Sequence, residues 1–317
     1  MTKLEKAAHV VVNTCLRLKK DEKVLILTDE PLLDIAQVLF QAATRRTKQT
    51  QLVMMTNYYT RYGINESIAR MMKEMNAIIA ITSNSISHTN ARRAACRNGA
   101  RIVSMPGILQ PSFTRLSQTN FEKVARLSRK LRDILTIGRE LIVTAPNGTA
   151  LHIPIAQRQG YADTGLIHKD GSFSNLPAGE ASIAPEDGKT EGELVVDSGM
   201  GVHPMEQERL VVTIRDGRAS RISGDLAAQR LRRMLAPHGS KSRLVAEFGI
   251  GTNDTARLKG CTLEDEKVLG TVHLAIGNNI SFGGKNDVSI HLDGVVYNAT
   301  VVIDGRKILD RGRLVLV

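Results

Sequence analysis

The sequence predicts an α/β fold, in which a Rossmann-like domain built on a parallel sheet precedes an α+β metal-binding domain. Short apolar runs alternate with helical patterns through the first 136 residues, which is the rhythm of a doubly wound layer. After about residue 137 the composition changes to short β-rich runs separated by glycine turns. A chain of 317 residues is also longer than one hydrophobic core usually serves. We therefore predict two domains, at 1–136 and 137–317.

The first domain is predicted to begin with an amphipathic helix. Apolar residues recur over 3–20 at the i, i+3, i+4 and i+7 spacing of one helical face. Four continuous apolar runs then have the character of buried parallel strands, at 23–28, 51–56, 77–82 and 101–105. Helical patterns lie between and after them, at 31–45, 65–73, 90–98 and 119–136. Connections of this length allow the right-handed crossovers that parallel strands require.

The loop after the first strand lacks the glycine pattern of a phosphate-binding loop. A dinucleotide-binding domain has G-x-G-x-x-G at this point, whereas residues 28–34 read TDEPLLD. Nucleotide binding is therefore not expected of this domain. We interpret it as a structural domain that roofs a site or forms a dimer.

The second domain is predicted from its turn signals. The dipeptide Asn147-Gly148 separates two β-rich runs, and Asn-Gly in that position is the strongest short hairpin signal. One clear helix is expected at 225–235, and an Asp-Gly pair at 304–305 indicates a last hairpin. This part of the chain is predicted to be α+β.

The basic charge of the chain is concentrated in the first domain. The formal net charge is +11, and residues 1–136 hold 22 basic against 10 acidic residues. These charges have helix-surface spacing without a recognisable nucleic-acid motif, so we interpret them as solvated helix faces. Aromatic residues make up 3% and tryptophan is absent, which leaves few stacking platforms for single strands. A nucleic-acid partner is not expected.

Location and redox state follow from simple patterns. No run of about 18 apolar residues is present, and the first 20 residues lack the apolar core of a signal peptide. We therefore expect a cytoplasmic protein without a membrane partner. Cys15, Cys96 and Cys261 are far apart in the chain and are expected to stay reduced.

A segment near the C-terminal end carries the strongest functional signal. His291 and Asp293 lie two residues apart in a strand-like run, so their side chains would project from one face. His273 lies in an earlier strand-like run, which a turn rich in glycine and asparagine could fold beside the first. Two imidazoles and a carboxylate suit a divalent metal. The alternative for His273 is a core histidine with satisfied hydrogen bonds.

Two glutamates upstream enlarge the candidate ligand set. Glu247 lies in a strand that runs into glycines, and Glu180 follows a turn marked by Pro177 and Gly179. Three of the five groups could hold one ion, and all five could hold two with a bridging carboxylate. The two glutamates are also the candidate catalytic groups. The predicted substrate-binding residues are Asn175, Asn286 and His203.

Four short motifs resemble the M29 metallopeptidases, the thermophilic aminopeptidase family. NLPAGE, EFGIGTN, GTVHLAIG and HLDG occur in the family's order within residues 140–315, in a chain that is short for the family. The resemblance implies a homodimer and a pair of bound metal ions, held by Glu180, Glu247, His273, His291 and Asp293. One position departs from the pattern: the family's catalytic tyrosine, seven residues after the first metal histidine, is Ile280 here.

Three functions are compatible with these residues. The leading hypothesis is a hydrolase of a peptide or amide substrate, in which two Zn, Co or Mn ions activate water. The alternative is a mononuclear Fe(II) ring-cleaving dioxygenase like the dihydroxypyridine dioxygenases, which are similar in overall sequence to M29 proteins. Its iron would be bound by a facial triad of His273, His291 and Asp293. The third is a non-catalytic, metal-stabilised binding protein.

Overall fold

A computed structural model describes residues 1–56, 63–202 and 208–315. The chain divides into two compact units. The first unit consists of Met1–Ala125 and Thr164–Ala178, and the second of Arg126–Asp163 and Gly179–Val317. Within the described ranges, no helix has the length and apolar character needed to cross a lipid bilayer.

The strands of the described residues are numbered in chain order. They are β1 Val24–Asp29, β2 Thr50–Met55, β3 Ala77–Ile81, β4 Arg101–Ser104, β5 Glu140–Thr144, β6 Ala150–Pro154, β7 Gly160–Asp163, β8 Phe173–Asn175, β9 Glu180–Ile183, β10 Glu191–Val195, β11 Ser198–Gly199, β12 Leu210–Arg215, β13 Arg218–Gly224, β14 Val245–Gly251, β15 Val272–Gly277, β16 His291–Val296, β17 Thr300–Ile303, β18 Arg306–Asp310 and β19 Arg313–Leu314.

The α-helices of the described residues are numbered in the same way. They are α1 Lys3–Val10, α2 Leu33–Thr44, α3 Glu66–Lys73, α4 Asn90–Arg97, α5 Gln110–Arg115, α6 Phe121–Ile137, α7 Leu226–Leu235 and α8 Thr262–Asp265. Four of them start at a side-chain cap, in which the oxygen of Thr2, Asn65, Thr89 or Asn120 accepts a hydrogen bond from the backbone N–H three residues later.

The first unit contains the predicted parallel sheet. Its strand order is β2-β1-β3-β4-β8, and all four pairings are parallel. Every residue of β1, β3 and β4 is buried, because both faces of such a sheet are covered. The predicted α/β fold class with a parallel first sheet is thereby confirmed.

One segment of the first unit differs from the predicted domain boundaries. The prediction assigned all of 137–317 to the second domain, whereas Thr164–Ala178 belongs to the first unit. It returns there because β8 pairs in parallel with β4. A three-residue strand, Phe-Ser-Asn, is too short to show a periodic pattern in the sequence. The first crossing between the units also falls within α6, at Ala125 and Arg126, and not after the helix.

The second unit is built from two antiparallel sheets. The eight-stranded sheet has the order β13-β12-β10-β6-β5-β17-β18-β19 and contains both predicted hairpins, β5-β6 and β17-β18. The six-stranded sheet has the order β11-β16-β15-β14-β9-β7. Apolar side chains from both sheets, α6 and α7 form one core. Every residue of β14 and β15 is buried, so any charged side chain on these two strands needs partners.

Candidate metal centre

Four adjacent strands of the six-stranded sheet bring the five predicted ligands together. Glu180 begins β9, Glu247 lies in β14, His273 lies in β15, and β16 carries both His291 and Asp293. Paired residues on neighbouring strands project to the same face. Each of these side chains is paired with a glycine or alanine on a neighbouring strand. The pairs are Glu180 with Gly251, Glu247 with Ala275, His273 with Gly249, His291 with Gly277 and Asp293 with Ala275. The small partners leave the space above the sheet to the ligands.

Gly249 shows how tight this arrangement is. It is paired with His273 across β14 and β15. A Cβ atom at position 249 would lie 2.2 Å from both Cε1 and Nε2 of the imidazole. Only glycine therefore lets the His273 ring lie over the neighbouring strand.

The ligand atoms lie within contact distance of one another. Nε2 of His291 is 3.2 Å from Oε2 of Glu247 and 3.3 Å from Oδ1 of Asp293. Nε2 of His273 is 3.3 Å from Oε2 of Glu180 and 3.9 Å from Oε1 of Glu247. Glu247 thus faces one imidazole with each of its two oxygens.

Within the described residues, three overlapping groups have ligand atoms that all lie within 4.8 Å of one another. They are Glu180, Glu247 and His273; Glu247, His291 and Asp293; and Glu266, His273 and Asp293. All five predicted ligands belong to these groups. Glu266 is a member that the sequence analysis did not include.

The orientation of the two imidazoles suits metal binding through Nε2. His291 Nδ1 lies 2.7 Å from the backbone carbonyl of Asn278, so this nitrogen donates and Nε2 is left as the ligand atom. Nδ1 of His273 is buried without a hydrogen-bond partner among the described residues, and its Nε2 faces carboxylates. Neutral imidazole and carboxylate are the donors that divalent first-row metals take.

Lys267 is the second residue of the centre that the sequence analysis missed. Its side chain is 2% exposed, and its Nζ lies 2.6 Å from Oε2 of Glu180 and 2.7 Å from Oε1 of Glu266. Glu266 and Lys267 both belong to the run Glu264–Lys267, which reads Glu-Asp-Glu-Lys, and a run of charged residues is usually a solvated face. The fold instead buries all four of its residues, which local sequence could not show.

Proton affinities in the centre reflect its dense charge. Burial alone would lower the pKa of His273, but interaction with Glu247 and the charges of Glu180 and Glu266 raise it to about 9. Burial raises the pKa of Glu266 to about 8, against the opposing charge of Lys267. Burial also acts to raise the pKa of Glu247, yet contact with both imidazoles holds it well below the usual range.

Two aromatic rings lie beside the ligands. Phe282 stacks on His291, with ring centroids 5.6 Å apart and planes inclined by 28°. Tyr161 packs edge-on against Phe282 at a centroid distance of 6.1 Å. Aromatic rings pair favourably in such offset and edge-to-face arrangements. The aromatic pair therefore supplies a flat apolar surface next to the candidate ligand His291.

The predicted substrate-binding residues have different environments. Asn286 donates its side-chain amide to the carbonyls of Lys241 and Gly277, which ties down the loop before β16. Asn175 belongs to the first unit, where its Oδ1 accepts a hydrogen bond from the Ser87 hydroxyl. His203 lies outside the described residues. A substrate-binding role for these three residues stays a prediction.

The whole chain matches one family of known sequence. The family model described as "NicX: 2,5-dihydroxypyridine 5,6-dioxygenase" covers residues 3–316. The chain belongs to this dioxygenase family. A curated relative, the 2,5-dihydroxypyridine 5,6-dioxygenase of Pseudomonas putida strain KT2440, is 23% identical over 277 residues, which is 82% of this chain and 77% of the relative.

Two solved structures share the fold of this NicX family member. The 2,5-dihydroxypyridine dioxygenase of Pseudomonas putida KT2440 superposes with a TM-score of 0.81 at 18% identity, over 100% of this chain and 99% of the other. AmpT of Thermus thermophilus, an M29 aminopeptidase, superposes with a TM-score of 0.75 at 18% identity, over 99% of each chain.

These comparisons correct the leading functional hypothesis. The M29 resemblance correctly predicted a shared fold, but hydrolase, aminopeptidase and metalloprotease are wrong as descriptions of this chain. The family model and the curated relative are both dioxygenases. The chain is therefore placed in a family of enzymes. The departure at Ile280, where M29 peptidases carry a catalytic tyrosine, agrees with the correction.

Proposed function

We propose that the protein is a metal-dependent ring-cleaving dioxygenase, with a dihydroxylated pyridine or a closely similar ring as its substrate. The observation that carries the proposal is a buried cluster of two imidazoles and several carboxylates in a chain that matches the dioxygenase family over residues 3–316. The name of the relative gives both the substrate class and the bond to be cleaved.

The residues of the centre fit a ferrous ion. His273, His291 and Asp293 have the composition of the two-histidine, one-carboxylate set that holds non-haem iron. Nε2 of His273 and Nε2 of His291 both face carboxylates inside the buried centre, and these two nitrogens are the atoms that would bind the ion. When bound, the ion would supply the redox chemistry by which dioxygen and an aromatic ring react.

The carboxylates of the centre are the groups that would receive a hydroxylated ring. Glu247 stays ionised because both imidazoles lower its pKa, so its oxygens accept hydrogen bonds and do not donate them. The oxygens of Glu180 and Glu247 are therefore the candidate acceptors for the proton of a ring hydroxyl. Both side chains are buried, which limits access of water to these oxygens.

The aromatic pair would bind the face of the ring. Phe282 already stacks on His291, and Tyr161 supports it edge-on. A planar heteroaromatic substrate would gain an apolar contact there while its hydroxyl groups face the carboxylates. Replacing Phe282 with alanine is therefore expected to raise KM for the ring more than it changes metal content.

Oxygen uptake tests the proposal. Protein reconstituted anaerobically with Fe(II) is mixed with 2,5-dihydroxypyridine, and oxygen consumption is recorded together with loss of the ring's absorbance. We expect uptake by the native protein and none by His291→Ala, which should remain folded by circular dichroism. His152→Ala is a matched control, because His152 is half-exposed and its imidazole contacts Glu140, which is not a candidate ligand. Iron-loaded native protein that consumes no oxygen with a panel of dihydroxypyridines would contradict the proposal.

A further inference from the structure

Lys267 is a buried cation that contacts two carboxylates of the centre. Neither of these two carboxylates belongs to the set of ligands named above for a single ion. The side chain is 2% exposed, and its Nζ contacts Glu180 at 2.6 Å and Glu266 at 2.7 Å. Oε2 of Glu180, the atom nearest to Nζ, is also the atom that lies 3.3 Å from His273 Nε2. The ammonium group and a candidate ligand therefore share one oxygen.

Lys267 forms ion pairs with carboxylates of two of the three ligand groups and not with those of the third, as far as the described residues show. Two of the groups contain His273 together with either Glu180 or Glu266, and both of these carboxylates are paired with Lys267. The third group, Glu247 with His291 and Asp293, contains no carboxylate for which an ion pair with Lys267 is found in the described chain. The set named above for iron, His273, His291 and Asp293, likewise includes neither of the carboxylates that are paired with Lys267, so one ion could bind there without disturbing the ammonium.

We propose that Lys267 is the second cation of this centre: its ammonium occupies the place at which Glu180 and Glu266 would otherwise bind a second metal ion, and so limits the centre to one divalent ion. The proposal rests on the metal centre of the proposed function. It assigns to one residue the difference between a mononuclear and a dinuclear site.

The electrostatics support this role. Four carboxyl groups face the centre: those of Glu180, Glu247 and Glu266 are buried, and that of Asp293 is partly buried. Buried charges are tolerated when they are paired and hydrogen-bonded. One divalent ion and one ammonium carry three positive charges between them, which nearly balances the four negative charges that these groups carry when all of them are ionised. A second divalent ion would have to displace a covalently attached cation that already contacts both of its carboxylate ligands.

Metal counting tests the proposal without any assay of activity. Native protein and variants are equilibrated with excess Mn(II), dialysed, and measured by elemental mass spectrometry. We expect one equivalent in the native protein and in Lys267→Arg, which keeps the charge. Lys267→Met should bind two equivalents, and adding Glu180→Gln to it should return the count to one. Lys307→Met is the control, because Lys307 is half-exposed and forms an ion pair with Asp310, which is not a candidate ligand.

A second variant guards against failure to fold. Lys267→Met combined with Glu266→Gln removes one charge of each sign and still frees Glu180, so this protein should also bind two equivalents. Native protein that binds none or two equivalents would overturn the proposal, and so would a folded protein with Lys267→Met and Glu266→Gln that binds one.

The two proposals fail separately. One ion per chain with the expected variants but no ring cleavage rejects only the dioxygenase, and ring cleavage by protein with two ions rejects only the role of Lys267.

Discussion

Small residues decide where the ligands can lie. The spacing of His291 and Asp293 already predicted that they share a face, and the structure places their ligand atoms 3.3 Å apart. The need for glycine opposite His273 could not be predicted in the same way. It depends on the register between β14 and β15, which the sequence does not contain in any local pattern.

Gly249→Ala is expected to disable the centre. Its new Cβ would overlap the His273 ring, which is buried and has no space into which to move. We expect metal affinity to fall at least about tenfold and stability to fall by about 1–3 kcal/mol, as overpacking of a core typically costs. Equilibrium dialysis and chemical denaturation measure the two effects.

The control for this variant is Gly188→Ala. A Cβ there meets nothing within 4 Å, although its φ of +76° makes a side chain strained. Gly188→Ala should therefore lose some stability and keep its metal. Native metal affinity in Gly249→Ala would show that the ring is not confined as described.

Metal binding is expected to release protons. A metal ligand must be neutral imidazole, while the pKa of unloaded His273 is raised to about 9, so this histidine is protonated at neutral pH. Affinity should therefore rise with pH between about 7 and 9, by up to about tenfold per unit for each proton displaced. Calorimetric titration in buffers of different ionisation enthalpy gives the number of protons released. Affinity that is constant over this pH range would contradict the raised pKa.

At the scale of elements, the loop before β16 orients the imidazole of the candidate ligand His291. The side chain of Asn278 donates to Asp287 Oδ1 and to the backbone carbonyl of Val288. The backbone carbonyl of Asn278 accepts a hydrogen bond from His291 Nδ1. The Oδ1 of Asn279 accepts a further hydrogen bond from the backbone N–H of Asn286. The sequence predicted a turn here, but the hydrogen bonds that orient His291 are visible only in the folded chain.

Asn278→Ala is expected to loosen this loop. Asn278 is fully buried, so its loss leaves the carbonyl of Val288 without this donor. The backbone carbonyl that accepts from His291 remains in this variant but loses the side-chain hydrogen bonds that hold it in place. We expect metal affinity to fall by about tenfold, together with faster proteolysis between β15 and β16. Unchanged affinity and unchanged cleavage would show that the loop does not position His291.

The regular elements were largely predictable for a physical reason. Continuous apolar runs predicted the buried strands β1, β3 and β4 and also β2, which lies at the edge of the sheet and is largely not buried. The Asn-Gly and Asp-Gly turns predicted the hairpins β5-β6 and β17-β18. The three-residue strand β8 carries no comparable signal. Its place is set by pairing with β4, and the return of the chain to the first unit was therefore missed.

At the scale of the whole molecule, motif resemblance predicted the fold better than the reaction. This family member superposes on both a dihydroxypyridine dioxygenase and AmpT. Its own centre consists of imidazole and carboxylate groups. Such ligands accept several metals, so residue type alone does not select hydrolysis or oxygenation. The burial of Lys267, to which we assign the limit of one ion, is indicated by no local pattern. The expected homodimer stays a prediction, which sedimentation velocity can test.

The origin of the product's oxygen atoms tests the central claim most directly. Iron-loaded protein is allowed to react with 2,5-dihydroxypyridine under ¹⁸O₂ in ordinary water, and the product is analysed by mass spectrometry. The proposed dioxygenase chemistry predicts that both oxygen atoms of one O₂ molecule enter the ring-opened product, and that His291→Ala forms none. A product that takes its new oxygen from water alone would contradict the claim and indicate hydrolysis.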